Sequence, residues 1–255
     1  MSLMLIPERV YSAVAPRPVR FYERVDSTNE LALEWLRQGA ETGSVIIADE
    51  QVKGRGRLGR AWYTPPGTAL ILSVILRPAS SEIQQLTMLG AVAICELLEH
   101  IGAPDVGIKW PNDVQLLGRK VSGILPEVVW SGRHVDGAVL GMGINVRIDF
   151  AGTALADRAI SIEPVLGRLI DRLDALVYLL NRIDEWTPQL GTKALFDAWR
   201  ERLNMLGRRV TVVGADGMLT GWAETVDEDG ALRVKTDDGT IHRVIAGDVV
   251  LGSSS

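Results

Sequence analysis

The segment QVKGRGRLGRAW, residues 51–62, follows the apolar run SVIIAD at 44–49 and alternates three glycines with three arginines. Gly54-x-Gly56-x-x-Gly59 has the glycine spacing of a dinucleotide-binding turn. Such a turn opens a helix that receives a pyrophosphate, with an acidic residue about 20 positions further on. Here Arg60 leads into AWYTPPGTA, where Pro65-Pro66 forbid an early helix. Arg77-Pro78 occupies the place of the ribose-binding acid, and Glu82 comes late. The NTPase pattern GxxxxGK[ST] does not occur either. A solvated basic turn or an anion-binding loop remains. Glycine lets backbone N–H groups converge on an anion, and arginine adds planar, charge-assisted forks, so the residues favour the second.

The rest of the chain limits the anion. Its 255 residues are 47% hydrophobic and 23% charged, the balance of an ordinary globular protein large enough for one or two domains. A formal charge of −5 argues against broad nucleic-acid binding, so Arg55, Arg57 and Arg60 form a local basic cluster suited to a small anionic ligand. The single Cys95 excludes an intrachain disulfide and a Cys-rich zinc site. His100, His134 and His242 are too far apart in sequence to suggest a metal site and are expected at the surface or at edges. The apolar start MSLMLI is cut short by Pro7, Glu8 and Arg9, and no run reaches membrane-spanning length. The expectation is a cytoplasmic, reduced protein without membrane or DNA partners. Fewer than 20 residues precede the first strand, too few for a helix-turn-helix domain.

Strand-like runs fall at 20–25, 44–49, 69–76, 106–110, 113–117, 120–130 and 134–146. Helical patterns cover about 28–38, 82–101, 164–186 and 192–204. Residues 1–18 read as an extended or partly helical arm. After Leu206-Gly207 the pattern becomes short strands punctuated by ADG, DEDG, DDG and AGD, as in a small antiparallel barrel. The expected fold is α+β: a mixed sheet packed by helices over residues 1–205, then a small barrel over 206–252.

DSTNE (26–30), Gln51, GRGRLGR (54–60), Trp62, KWPND (109–113), GRKVSGIL (118–125) and GMGINV (141–146) occur in this order. Together they resemble the biotin protein ligases, or biotin–[acetyl-CoA-carboxylase] ligases, in a short form without an N-terminal DNA-binding domain. The resemblance runs from about residue 20 to the C-terminal barrel. Its most specific parts are GRGRxGR with a tryptophan two residues on, and KWPND followed by GRK. It implies a class II synthetase-like catalytic domain and an SH3-like C-terminal barrel.

By the same resemblance, biotin and biotinyl-AMP contact Ser27, Thr28, Asn29, Gln51, Gly54, Arg55, Gly56, Arg57, Trp62, Lys120 and Gly123. ATP contacts Arg60, Lys109, Asn112 and Asn145. Lys120, Arg55, Arg57 and Asp113 form the catalytic set, and Asp113 is a candidate Mg²⁺ ligand. Ser27-x-x-Glu30 also fits a helix capping box. Pro126, where the family usually has an aliphatic residue, invites a local kink in its strand.

The implied reaction joins biotin and ATP to give biotinyl-5′-AMP and pyrophosphate. The adenylate then passes biotin to a lysine of a biotin carboxyl carrier protein. A carboxylate is ionised at neutral pH, its ordinary pKa being roughly 4, so the first step needs alignment of anions and no basic residue. The arginine loop is then expected to act as a mobile lid over the adenylate. A lipoate- or octanoate-transferring relative is the alternative enzyme, and a non-enzymatic biotin sensor or repressor is disfavoured. Sheet edges in either domain would allow a homodimer.

Overall fold

A computed structural model of the chain describes residues 5–214 and 217–251. Its organising strand is β3 (Ala69–Leu76), ALILSVIL, in which all eight residues are buried. Successive side chains of a strand point to opposite faces, so such a strand must be covered on both sides. Its sheet also contains β1 (Val19–Val25), β2 (Val45–Gln51), β4 (Val106–Lys109), β5 (Asp113–Leu116), β6 (Arg119–Ser131) and β7 (His134–Asn145). The order is β1-β2-β3-β7-β6-β5-β4, with only the β1–β2 pair parallel.

Leu70, Leu72, Val74 and Leu76 enter the main core with α1 (Pro7–Val14), α3 (Leu86–His100), α5 (Arg172–Trp186) and α6 (Lys193–Glu201). On the opposite face Ile75 joins Ile46 and Val139 beneath α2 (Thr28–Arg37), whose Ala32 and Leu36 cover them. Ser73 lies between these apolar neighbours and is fully buried. Period-two alternation thus gives one strand a core face and a site face.

Two helical expectations change. The 82–101 pattern begins as a 3-10 turn, Ser80–Gln85, before α3. The 164–186 pattern divides into α4 (Ile162–Leu166) and α5. Gly167, at φ 63°, ends the first in a left-handed conformation, and the Asp171 carboxylate caps the second by accepting from the Leu173 N–H at 2.8 Å. Pro126 does not interrupt the β6–β7 register, which is irregular only at Val129/Trp130. Pairing with β5 stops at Gly123, so Pro126 lies on an edge stretch where a missing N–H is tolerated.

The C-terminal region is a five-stranded antiparallel sheet of β8 (Arg209–Gly214), β9 (Gly217–Val226), β10 (Leu232–Lys235), β11 (Ile241–Val244) and β12 (Asp248–Leu251). Val210, Ala223, Leu232 and Val249 belong to the same apolar cluster as α3 and α6. The buried Trp110 donates its indole N–H to the Gly230 carbonyl at 2.7 Å. One continuous core therefore joins the two sheets.

Candidate active site

The site begins with a floor of missing side chains. Gly141, Gly143 and Asn145 alternate along β7 with Leu140, Met142 and Ile144, which point into the main core. A Cβ on Gly141 would lie 2.1 Å from Asn29 Oδ1, and one on Gly143 would lie 2.5 Å from the Trp62 indole nitrogen. Gly123 likewise leaves room for Lys120 and Trp62, both 3.2 Å from where its Cβ would be. These glycines let an asparagine and an indole lie on bare backbone.

Along the start of α2, the expected capping box does not form. Ser27 makes no side-chain cap bond, and Glu30 turns to Arg55 at 3.7 Å. The cap comes from β2. Gln51 Oε1 accepts from the Thr28 N–H at 2.8 Å and from the Thr28 hydroxyl at 3.0 Å. An amide reaching across from a neighbouring strand satisfies the helix terminus, leaving the Ser27 hydroxyl on the cavity wall without that duty. Ser73 Oγ lies 2.8 Å from Thr28 Oγ1 and 2.7 Å from Asn29 Oδ1. The Asn29 amide nitrogen donates to Leu125 O at 3.1 Å and to Glu127 Oε2 at 2.7 Å. Asn29 is thus fully engaged with the protein and shapes the wall. Ser73 and Glu127 escaped the sequence reading; the only available signal for Ser73 was a hydroxyl inside an otherwise apolar strand.

Above this floor, QVKGRGRLGRAW closes into a small hairpin. Gly56 N–H donates to Arg60 O at 2.7 Å and Trp62 N–H to Gly54 O at 2.8 Å, with Arg55 bridging Ala61. Gly54 lies outside the cavity lining; its Cβ would meet Trp62 O at 2.6 Å, so its absence permits the hairpin's close pairing. Leu58 has a left-handed φ of 57° and is 76% exposed at the tip. The three arginines diverge. Arg55 pairs with Glu127 at 3.2 Å, Arg57 donates to Asn112 Oδ1 at 3.0 Å, and Arg60 reaches the Asp248 carboxylate on β12. Arg55 in this arrangement anchors the loop to the wall. Asn112, donating to Ile124 O at 3.0 Å as well, holds Arg57 in place.

Lys109 and Asp113 face each other across the β4–β5 pair, and Asp113 Oδ1 lies 2.6 Å from Lys120 Nζ. The Lys120 ammonium also stands 5.4 Å from the Trp62 ring centroid, within cation–π range. Burial pushes the Lys109 ammonium below the ordinary lysine value, partly offset by Asp113 and Asp248 and reinforced by Arg158 and Lys120. The Arg60 hydrogen bond holds the Asp248 carboxyl below the ordinary aspartate value against a smaller opposing effect of burial. Asp248 was not expected from sequence, because it lies in the C-terminal sheet. Asn145 donates to Lys120 O at 3.3 Å and Ile160 O at 3.1 Å, while its buried Oδ1 has no partner. The Trp62 indole N–H is likewise buried and unpartnered.

These groups surround one cavity of about 550 Å³, within the range that holds a small organic ligand. Every site residue expected from sequence lines it except Gly54. Its lining combines uncharged hydroxyls, amides and an indole over bare backbone with the cations Arg55, Arg57, Arg60, Lys109 and Lys120. Such an arrangement can take an uncharged polar head together with a polyanion. Among the described residues no group of three or more His, Cys, Asp or Glu side chains gathers to hold a metal ion. No described helix is long and apolar enough to cross a membrane.

Known proteins resemble this chain over most of its length. Residues 21–145 match the model of the biotin/lipoate A/B protein ligase family, and residues 205–252 match the biotin protein ligase C-terminal domain. The biotin–[acetyl-CoA-carboxylase] ligase of Mycobacterium tuberculosis is 35% identical over 241 residues, which cover 88% of this chain and 85% of the relative. The bifunctional ligase/repressor BirA of Bacillus subtilis is 31% identical over 91% of this chain and 73% of its own. The biotin protein ligase of Aquifex aeolicus in complex with biotin and ATP superimposes with a TM-score of 0.79 at 32% identity, covering 93% of this chain and 99% of that one. The cavity, its motifs and these relatives agree: the chain belongs to the biotin/lipoate A/B protein ligase family.

Proposed function

We propose that the protein is an ATP-dependent biotin protein ligase. It activates biotin as biotinyl-5′-AMP and transfers it to a lysine of a biotin carboxyl carrier protein. The observation that carries this reading is the juxtaposition of Lys120, Arg57, Arg60 and Lys109 with an uncharged polar pocket in one cavity. A lipoate-specific relative has no need for a ureido-sized polar end. Here Gln51 has its amide nitrogen uncommitted among the described residues, and Ser27 lines the same cavity. Both suit a ureido group, which offers one acceptor and two donors.

In the first step an oxygen of the biotin carboxylate bonds to the α-phosphorus, and the bond to pyrophosphate breaks. Two anions must meet, so the barrier is one of alignment and charge. Lys120 exchanges Asp113 for the ligand oxygens, and Arg57, steadied by Asn112, neutralises the transferred phosphoryl. The orphan Oδ1 of Asn145 is an acceptor that fits an exocyclic amine such as that of adenine. In the second step the neutral acceptor amine attacks the acyl carbonyl, AMP leaves, and the amine's proton passes to Asp113 or solvent.

Mg²⁺ fits this donor set. It prefers one or two carboxylates with phosphate and water oxygens, and Asp113 supplies one carboxylate beside Lys120. When bound it would neutralise phosphate charge. The hairpin at 54–60 is the candidate lid, and residues 1–205 and 206–252 act as catalytic and supporting units. Burial pushes the lone Cys95 thiol up to about 12, so it stays protonated.

The test is ATP–pyrophosphate exchange with biotin or lipoate as the acid. Exchange with biotin and none with lipoate is expected. The opposite preference, or exchange without either acid, would overturn the reading.

A further inference from the structure

Arg158 lies outside every motif that pointed to the site, yet it lines the same cavity. Its segment is tied to the strand that carries Lys120. The Lys120 N–H donates to Arg158 O at 2.9 Å, the Ile160 N–H donates to Lys120 O at 3.0 Å, and Lys120 and Ala159 form a parallel bridge. The Arg158 backbone is therefore fixed beside Lys120, while its side chain is exposed.

The cations around it divide into two sets. Lys120, Arg60 and Arg55 have carboxylate partners in Asp113, Asp248 and Glu127, and Arg57 has the Asn112 amide oxygen. Arg158 and Lys109 have no side-chain ion pair or hydrogen bond among the described residues, and the adjacent Asp157 makes none to Arg158. The two are near enough for Arg158 to disfavour the charged form of Lys109. The carboxylates near Lys109 are Asp113 and Asp248, and both are already paired, with Lys120 and Arg60, so Arg158 and Lys109 are left facing one cavity where an anion is favoured.

Resting on the ligase reading above, we propose that Arg158 is a nucleotide-binding residue that grips the pyrophosphate portion of ATP together with Lys109. That portion carries most of the nucleotide's negative charge, and a guanidinium fork matches phosphate oxygens in a way a point charge does not. Arg158 is also the one site cation supplied by the segment after β7.

The test is calorimetric titration of ATP, inorganic pyrophosphate, AMP and biotin into the parent protein, Arg158→Ala and Arg158→Lys. Removing one charge-assisted contact is expected to weaken ATP and pyrophosphate binding about tenfold. Arg158→Lys is expected to recover part of the loss, and AMP and biotin affinities to stay unchanged. The side chain is exposed, so all three proteins should give the same melting temperature. ATP and pyrophosphate affinities changed by less than about threefold would overturn the proposal, as would an equal loss for AMP or biotin. If the parent shows biotin-dependent exchange and Arg158→Ala binds ATP normally, only this inference falls. A parent that neither binds ATP nor catalyses exchange removes the ligase reading, and the inference with it.

Discussion

Around the cavity floor, Thr28, Asn29 and, behind them, Ser73 are 2%, 5% and 0% exposed and hydrogen-bonded through the Ser73 hydroxyl. In the loop above them, Arg55, Arg57 and Arg60 reach outward to Glu30, Glu127, Asn112 and Asp248, which belong to four separate parts of the chain. The floor is buried and dependent on glycines that admit no added atom, and its one charged partner, Glu127, is shared with Arg55 of the loop. The loop is charged and solvent-facing, and its partners are groups that an incoming anion can replace. Buried neutral networks are costly to leave half-satisfied, whereas exposed ion pairs contribute little and exchange readily. The first arrangement suits recognition by shape, and the second suits capture of charge that arrives with the substrate.

Four substitutions would break or sharpen that contrast. The largest effect is expected from Lys120→Ala, at the junction of the two regions, which should lower the rate of adenylate formation on the order of 10²–10³-fold in single-turnover measurements. Gly141→Ala comes next. Its new Cβ would meet Asn29 Oδ1, and overpacking of that kind costs about 1–3 kcal/mol, so biotin affinity should fall roughly tenfold or more by equilibrium titration. An unchanged affinity would show that the floor yields as easily as the loop. Ser73→Ala removes the hydroxyl between Thr28 and Asn29 and should lower unfolding stability by about 1–3 kcal/mol in denaturant titration, because buried partners lose their bond.

Asp248→Asn is expected to be the mildest, a few-fold change in ATP affinity measured by calorimetry. It also carries a pH signature. The folded-state pKa of Asp248 is depressed by Arg60, so its stabilising contribution is complete above the ordinary aspartate value of roughly 4. That contribution disappears as pH falls through the depressed value. The stability gap between parent and Asp248→Asn should therefore be constant near neutrality and close on acidification, as read by melting temperatures across the acid range.

Much of the fold was legible because its signals are local. ALILSVIL announced a strand, and β3 occupies the same eight positions, all of them buried. The helix at 28–38 was visible from its spacing, but its cap was misread. Ser27-x-x-Glu30 has the letters of a capping box, and the competing partners, Gln51 for the helix terminus and Arg55 for Glu30, come from elsewhere in space. Gly167 and Asp171 were both present in the 164–186 pattern. Their combination as stop and start was outweighed there by the apolar stripe on either side. At the site, the motif residues were legible as a set. Glu127, Ser73, Asp248 and Arg158 were not, since an acid on a strand, a serine in an apolar run and surface charges carry no spacing to distinguish them.

By itself the sequence determined the strand and helix types, the glycine positions and the residue types that gather around an anion. These follow from side-chain period, proline and glycine geometry, and charge. Only the tertiary structure decided which partner each polar group takes. Thr28 and Gln51 are 23 positions apart, Asn29 and Glu127 are 98 apart, and Arg60 and Asp248 are 188 apart. No local pattern encodes such pairings. They exist because a continuous core holds the two sheets in place and brings distant polar groups within hydrogen-bonding distance.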